Sequence, residues 1–184
     1  MTLIILGIDV GGVIIDRAND RTDTSFFGPS YLASKPVPGA LESIELLSQM
    51  GMKIYLVSKC GPAIERKTRE WLAHNGFHEK TGIPEDHVRT CRQRKDKAEI
   101  CRRLGITHFV DDRLEVLSHL STVNERYLFN PDAREVARFS GALPSVRRVG
   151  TWEELLGYLI ADSGESSNRR LDQPRAGAHS ASAQ

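Results

Sequence analysis

The 184-residue chain is 40% hydrophobic and 27% charged, the composition of an ordinary soluble globular protein long enough for one domain with a full core. Lys plus Arg number 25 against 24 for Asp plus Glu, which excludes a global field drawing the chain to nucleic acid or an anionic membrane, so any anion site is local. No apolar run has the length of a membrane span and no secretory leader is legible, while Cys60, Cys91 and Cys101 are odd in number without CxxC spacing; reduced thiols in a cytoplasmic protein are expected.

Residues 3–8 form an unbroken β-branched and apolar run, which reads as a strand buried on both faces, of the kind parallel sheets use. Asp9 stands at its carboxyl end, where a carboxylate is costly to bury unless a metal ion or hydrogen-bond donors meet it. Gly11 and Gly12 follow, permitting a sharp turn and bringing bare backbone close to whatever Asp9 faces. This stretch alone leaves open a turn cap, or a phosphate loop of the sugar-kinase and actin type. Residues 17–35 are polar and too long for a tight turn, so a flap is expected over about residues 16–37. Its rings Phe26, Phe27 and Tyr31 pack it down or line a pocket, with packing the preferred role.

Helix, glycine and strand then alternate. Leu41, Ile44, Leu47 and Met50 stripe a helix ended by Gly51, and residues 53–57 form a strand reaching Ser58. A helix opens after Gly61-Pro62, carries Ile64, Trp71 and Leu72, and stops at Asn75-Gly76, followed by a short strand at 87–90. Residues 96–104 are helical up to Gly105, and 107–110 run as a strand into Asp111 and Asp112. Leu114, Leu117 and Leu120 stripe another helix, 126–129 are a strand, and Asn130-Pro131 reads as the N-cap and first position of the next helix. A strand at 145–149 and a helix at 151–160, with Thr151 and Glu154 as a capping box, end the pattern. The alternation predicts an α/β fold over residues 1–160, a three-layer Rossmann-like doubly wound parallel sheet, and a disordered tail over 161–184.

Ligands bind such sheets outside the carboxyl ends of the strands. That rule gathers Asp9, Ser58, Asp111 and Asp112 into one site and adds Lys97, at the start of the helix feeding the last of these strands. Converging carboxylates repel and need a hard cation, and oxygen-only ligation suits Mg²⁺. The Ser58 hydroxyl and Lys97 ammonium are then placed to meet phosphoryl oxygens, and Asp9 to act as a nucleophile. Lys59 shares the phosphate contact of Ser58 or points to solvent.

The ordered set of Asp9, Ser58, Lys97 and the Asp111-Asp112 pair resembles the four motifs of the haloacid dehalogenase-like (HAD) superfamily over about residues 3–160. The resemblance implies an aspartyl-phosphate on Asp9, with Mg²⁺ held by Asp9, the backbone carbonyl of Gly11 and one of Asp111 and Asp112. It implies Ser58 and Lys97 on the phosphoryl oxygens, with Gly11, Gly12 and Lys59 also on the substrate side. It further implies a capless form, whose open site admits large substrates or is closed by a partner subunit. A sugar kinase needs a second large domain for which there is no room, and a response-regulator receiver carries its acidic pair early rather than late.

Gly11 departs from the pattern, because phosphatases of the superfamily usually carry there a second Asp as acid for the leaving group and base for water. Loss of such a group costs on the order of 10²–10⁴ in rate. Three readings follow: a slow phosphatase, or one whose substrate has a good leaving group or brings its own acid; different chemistry at Asp9; or a phosphate-binding scaffold. A phosphorylated substrate is expected as partner, and no membrane. Arg89, Arg92, Arg94, Lys95, Arg102 and Arg103 surround Lys97 and read first as a solvated helix face, second as a site for a nucleotide or nucleic-acid end. Cys60 reads as a small buried thiol, and His74, His78 and His87 as surface residues.

Overall fold

The computed structural model describes residues 3–17 and 26–168. The apolar run near the N-terminus becomes β1 (Ile5–Ile8), with Leu6 and Ile8 wholly buried, and it takes a central place in a six-stranded sheet. β2 (Lys53–Lys59) and β3 (Val88–Cys91) lie to one side of it; β4 (His108–Asp111), β5 (Glu125–Phe129) and β6 (Arg147–Val149) lie to the other. The order is β3-β2-β1-β4-β5-β6, and every pairing is parallel. The strand order therefore reverses between β1 and β4. Connections leaving these two neighbours diverge, which opens a crevice at their carboxyl ends.

The helices are α1 (Ala40–Gln49), α2 (Pro62–His74), α3 (Phe77–Thr81), α4 (Lys97–Leu104), α5 (Leu114–His119), α6 (Ala133–Arg138) and α7 (Trp152–Asn168). Their apolar stripes cover the two faces of the sheet. Ile44 and Leu47 of α1, Trp71 and Leu72 of α2, Phe77 of α3 and Trp152, Leu155 and Leu159 of α7 build one cluster. Cys101 of α4 and Leu114, Val116 and Leu117 of α5 build the other. The result is the three-layer, Rossmann-like arrangement that the alternation of elements predicts.

Gly7 in β1 is required by packing, since a Cβ there would lie 2.4 Å from the ring of Phe109 on β4. The space goes to that ring, whose centroid is 5.6 Å from the ammonium of Lys97. A residue choice in the central strand thus supports a side chain of the crevice.

Beyond β1 the apolar run continues as a tight loop. Val13, Ile14 and Ile15 are buried, the Ile14 and Ile15 amides donate to the Val10 carbonyl, and Ile15 bridges to Pro36. Trp152 Nε1 donates to the Val13 carbonyl at 2.7 Å, tying this loop to α7. The central part of the expected flap, residues 18–25, lies outside the described residues. Its later part carries a short 3₁₀ turn, Tyr31–Ala33, and is held to α2 at three points, one of them the Tyr31 hydroxyl donating to Glu70. Trp71 Nε1 donates to the Ser34 carbonyl at 2.9 Å, and Lys67 Nζ to the carbonyls of Phe27 and Gly28.

Three boundaries differ from the sequence reading. The N-cap of α6 is Asp132 and not Asn130, because the Asp132 carboxylate accepts the amides of Arg134 and Glu135 while the Asn130 amide donates to the Val149 carbonyl and prolongs the sheet contact. At the start of α7 the Thr151 hydroxyl accepts the Glu154 amide as expected, but Glu154 reaches the Gly150 amide, one residue before the box the sequence suggests. The helix also runs to Asn168 rather than ending at 160. Once a helix is nucleated, each further residue adds a hydrogen bond, and Asp162 is anchored by the Tyr127 hydroxyl. The rest of the expected tail, 169–184, lies outside the described residues. α3 was not foreseen, since five residues are too few to show a helical period.

Candidate functional site

The crevice between β1 and β4 holds the charged centre. Asp9, one residue past β1, is 6% exposed, and its amide donates to the Val110 carbonyl at 2.9 Å, which carries the sheet ladder as far as the carboxylate. Asp111 ends β4, and Lys97 opens α4 directly after the 3₁₀ turn Arg94–Asp96, which the Gln93–Asp96 capping box closes. Lys97 is 2% exposed. Its Nζ donates to Asp9 Oδ1 at 2.6 Å and to Asp111 Oδ2 at 2.8 Å. The second Asp111 oxygen accepts the Arg113 amide at 2.9 Å, so both its oxygens are engaged.

Asp112 is placed differently. Its Oδ2 meets Arg17 Nη1 at 3.1 Å, while its Oδ1 is buried with no hydrogen-bond partner among the described residues. Carboxylate oxygens of Asp9, Asp111 and Asp112 lie within 4.8 Å of one another. Gly12 makes this possible: it holds φ +85, and a Cβ on it would come within 2.7 Å of Asp112 Oδ2.

The electrostatics show a surplus of negative charge. Burial works against the charge of Lys97, yet Asp111 and Asp9 outweigh it and hold its pKa above the usual lysine value. Burial pushes Asp111 up against the pull of Lys97, with Asp9 and Asp112 adding to the rise. Asp112 is pushed up by burial and by Asp9, against Arg17 and Arg113. These carboxylates are short of positive charge, as a site for a divalent cation is when described without it.

A cavity of about 340 Å³ opens from this centre. Asp9, Gly11, Ser58, Lys59, Lys97 and Asp111 line it, so six of the eight residues singled out from the sequence meet on one wall. Ser58, 8% exposed at the end of β2, faces it beside Lys59. Gly12 and Asp112 are not among the cavity's lining residues. Phe26 and Phe27 line the cavity too; Phe26 is buried and Tyr31 packs edge-on against it and on the core, as expected, whereas Phe27 is 58% exposed.

Arg17 and Arg113 also reach the cavity, and sequence reasoning did not single them out. Arg113 follows the acidic pair directly, a signal that was available. Arg17 carried none, because the loop that returns it to Gly11 is set by tertiary contacts.

The basic cluster divides. Arg102 and Arg103 pair with Glu99 on the outside of α4, the solvated face expected. Arg94 lines the cavity and pairs with Glu115 at 2.9 Å; together with Lys59, Arg92 and Lys95 it also lines an adjoining groove. Cys60 lines the cavity as a buried thiol whose pKa burial raises, consistent with an unreactive side chain. His78 and His87 bond through Nδ1 to the carbonyls of Ile83 and Ile54, which are structural roles.

A six-stranded parallel sheet wound in this order, with helices on both faces, is also the fold of solved haloacid dehalogenase-like hydrolases. The D,D-heptose 1,7-bisphosphate phosphatase of B. bronchiseptica, solved with magnesium and phosphate, superposes with a TM-score of 0.66 at 16% identity, over 87% of this chain and 99% of that one. A HAD family hydrolase from Deinococcus radiodurans, solved with phosphate and sodium, gives 0.58 at 14% identity over 88% and 96%. No protein-family model matches the chain. In sequence, a protein of Oceanobacillus iheyensis provisionally named a nucleotidase is 26% identical over 127 residues, 68% of this chain and 63% of the relative. The chain thus spans less than two thirds of that relative's length.

Proposed function

We propose that the protein is a cytoplasmic Mg²⁺-dependent phosphatase that accepts the phosphoryl group of its substrate on Asp9. The observation that carries this reading is the Lys97 ammonium locked between Asp9 Oδ1 and Asp111 Oδ2 at the floor of the cavity. It fixes the Asp9 carboxylate by one oxygen, and no hydrogen bond to Oδ2 is formed among the described residues; Asp9 lines the cavity. A carboxylate oriented in this way and facing the substrate space is a nucleophile in position.

The residues present fit a divalent cation. Asp9, the Gly11 carbonyl and Asp112 would hold it, because the buried Oδ1 of Asp112 has no other partner whereas both oxygens of Asp111 are taken. When bound, the cation supplies Lewis-acid neutralisation of phosphoryl charge. Asp111 then acts by holding Lys97. The Ser58 hydroxyl and Lys59 ammonium, at the end of β2, bind phosphoryl oxygens by hydrogen bond and point charge. Asp9 attacks phosphorus, the leaving group departs, and water then opens the aspartyl-phosphate.

A nucleotide or nucleic-acid end as substrate is favoured by one further observation, the groove of Lys59, Arg92, Arg94 and Lys95 that adjoins the cavity. The test of the core reading is turnover of phosphate esters and anhydrides by purified protein with Mg²⁺, with EDTA, and in Asp9→Asn. Activity that needs both Mg²⁺ and Asp9 is expected. Phosphate binding without turnover of any compound leaves the scaffold reading standing instead.

A further inference from the structure

We infer that Arg17 takes the place of the missing leaving-group acid, and that the site is built to cleave phosphoanhydrides, in which the departing group is itself a phosphate. The inference rests on the reading of Asp9 as phosphoryl acceptor. Its starting point is Gly11. A Cβ built there would lie 2.8 Å from Arg17 Nη2, 3.2 Å from Nε and 3.4 Å from Cζ. The edge of the guanidinium therefore packs on the Gly11 α-carbon, and the volume that an acidic side chain at position 11 would need is held by a cation. The Asp112 carboxylate fixes that cation through Nη1, and Arg17 lines the cavity.

An arginine does not give up a proton at any working pH. The described side chains of the cavity offer no histidine, tyrosine or glutamate in its place. Asp111 is bound at both oxygens, Lys97 is held by two carboxylates, and the Cys60 thiol is buried. Asp16 is the remaining acid on the wall, and it has a partner of its own.

The chemistry that such a wall serves is set by the leaving group. An alcohol departs as an alkoxide about as basic as hydroxide, the conjugate base of water with a pKa of about 15.7, and needs a proton. A phosphate monoester, with a second pKa of about 6, departs as its dianion without one. What it needs is positive charge, and the site provides it. Lys59 and Arg113 line the cavity beside Arg17 and Arg94, which are paired with Asp112 and Glu115; Lys59 and Arg94 continue into the groove with Arg92, Lys95 and Glu115, and Lys59 and Lys95 form no ion pair among the described residues.

The balance is complete with water as the only co-reactant. Asp9 Oδ2 bonds to the terminal phosphorus and the bond from that phosphorus to the bridging oxygen breaks. Its electron pair stays on the departing phosphate, opposite Arg17. Water then attacks the aspartyl-phosphate, the Asp9–phosphorus bond returns its pair to the carboxylate, and the proton of water goes to the released phosphate or to solvent.

The test compares kcat/KM with Mg²⁺ for ADP, inorganic pyrophosphate, 4-nitrophenyl phosphate and glycerol 3-phosphate, in wild type, Arg17→Gln, Arg17→Lys, Asp16→Asn and Asp9→Asn. An anhydride is expected to exceed glycerol 3-phosphate by a factor of about 10² or more, the usual worth of the absent acid. Arg17→Gln is expected to lower anhydride turnover by about 10²–10³, as loss of one charge-stabilising donor does, and so to collapse the preference, while Arg17→Lys retains part of it. ADP against pyrophosphate tells a nucleotide carrier from an inorganic one. Glycerol 3-phosphate equal to or better than both anhydrides overturns the inference, as does an equal loss on all substrates in Arg17→Gln, or an anhydride preference that disappears in Asp16→Asn. Turnover that persists in Asp9→Asn brings down the reading of the site itself; no turnover by wild type of any compound overturns both.

Discussion

Asp111 and Asp112 are neighbours in the chain with unlike duties. Asp111 spends its two oxygens on Lys97 and the Arg113 amide, whereas Asp112 keeps one buried oxygen unpaired. Calorimetric titration with Mg²⁺ is expected to show Asp111→Asn weakened by about 10–100-fold, as loss of an outer-shell partner does, and Asp112→Asn weakened further. The reverse order would exchange the two roles. Gly11 supplies a second case. An aspartate introduced there would meet the Arg17 guanidinium close to its Cβ and pair with it, which takes away its use as a free acid. Gly11→Asp alone should therefore add little to alkyl phosphate turnover, and the double variant Gly11→Asp with Arg17→Ala should raise it by about 10². A full gain in the single variant would show that Arg17 yields the space.

At the scale of elements, the site depends on contacts one layer away. Gly7 in β1 admits the Phe109 ring, and that ring underlies Lys97. Gly7→Ala forces the ring aside and is expected to cost about 1–3 kcal/mol, seen as a lower urea midpoint with an unchanged slope, together with a fall in kcat as Lys97 loses its support. Retained stability would mean that the core relaxes around the methyl group. The loop after β4 has a separate anchor. Glu135 of α6 accepts the amides of Leu114 and Glu115 at 3.0 and 2.9 Å and so caps α5, the helix that follows the acidic pair. Loss of a cap of this kind costs about 1 kcal/mol, so Glu135→Ala should lower the melting temperature and loosen Mg²⁺ binding together. A change in the first without the second would separate the cap from the site.

For the molecule as a whole, acid stability is set in part far from the crevice. His108 is buried on β4 with Nε2 3.7 Å from Asp162 and without a hydrogen bond among the described residues, and burial lowers its pKa against the pull of Asp162 and Glu125. The unfolded chain, with an ordinary histidine pKa of about 6.5, takes up the proton first. Stability from this group is therefore full above that value and is lost as pH falls toward the folded pKa. Thermal melts between pH 7.5 and 5.5 should show a decline that is shallower in His108→Gln; an equal slope would assign the decline to other groups. The same reasoning applies to Mg²⁺, which binds the folded state and should raise the melting temperature with concentration.

What the sequence by itself determined is the part written in short-range patterns. Apolar runs of strand length, helical stripes and glycine stops were enough to place six strands and the main helices, because the central strands β1, β2 and β4 are buried on both faces and the helices carry a periodic apolar stripe. The rule that ligands sit at strand carboxyl ends then converted Asp9, Ser58, Lys97 and Asp111 from separate residues into neighbours of one cavity. Caps that depend on a single side-chain rotamer, Asp132 in place of Asn130 and Gly150 in place of Thr151 as the partner of Glu154, escaped it. So did the five-residue α3, too short to have a period. Only the tertiary structure distinguishes the hydrogen bonding of Asp111 from that of Asp112, and only it brings Arg17 against Gly11. The two acids differ through side-chain contacts across the crevice, 95 residues separating Arg17 from Asp112, and Arg17 meets Gly11 through the folding of a local loop that tertiary contacts close. Residue type and spacing along the chain carry no record of such a meeting.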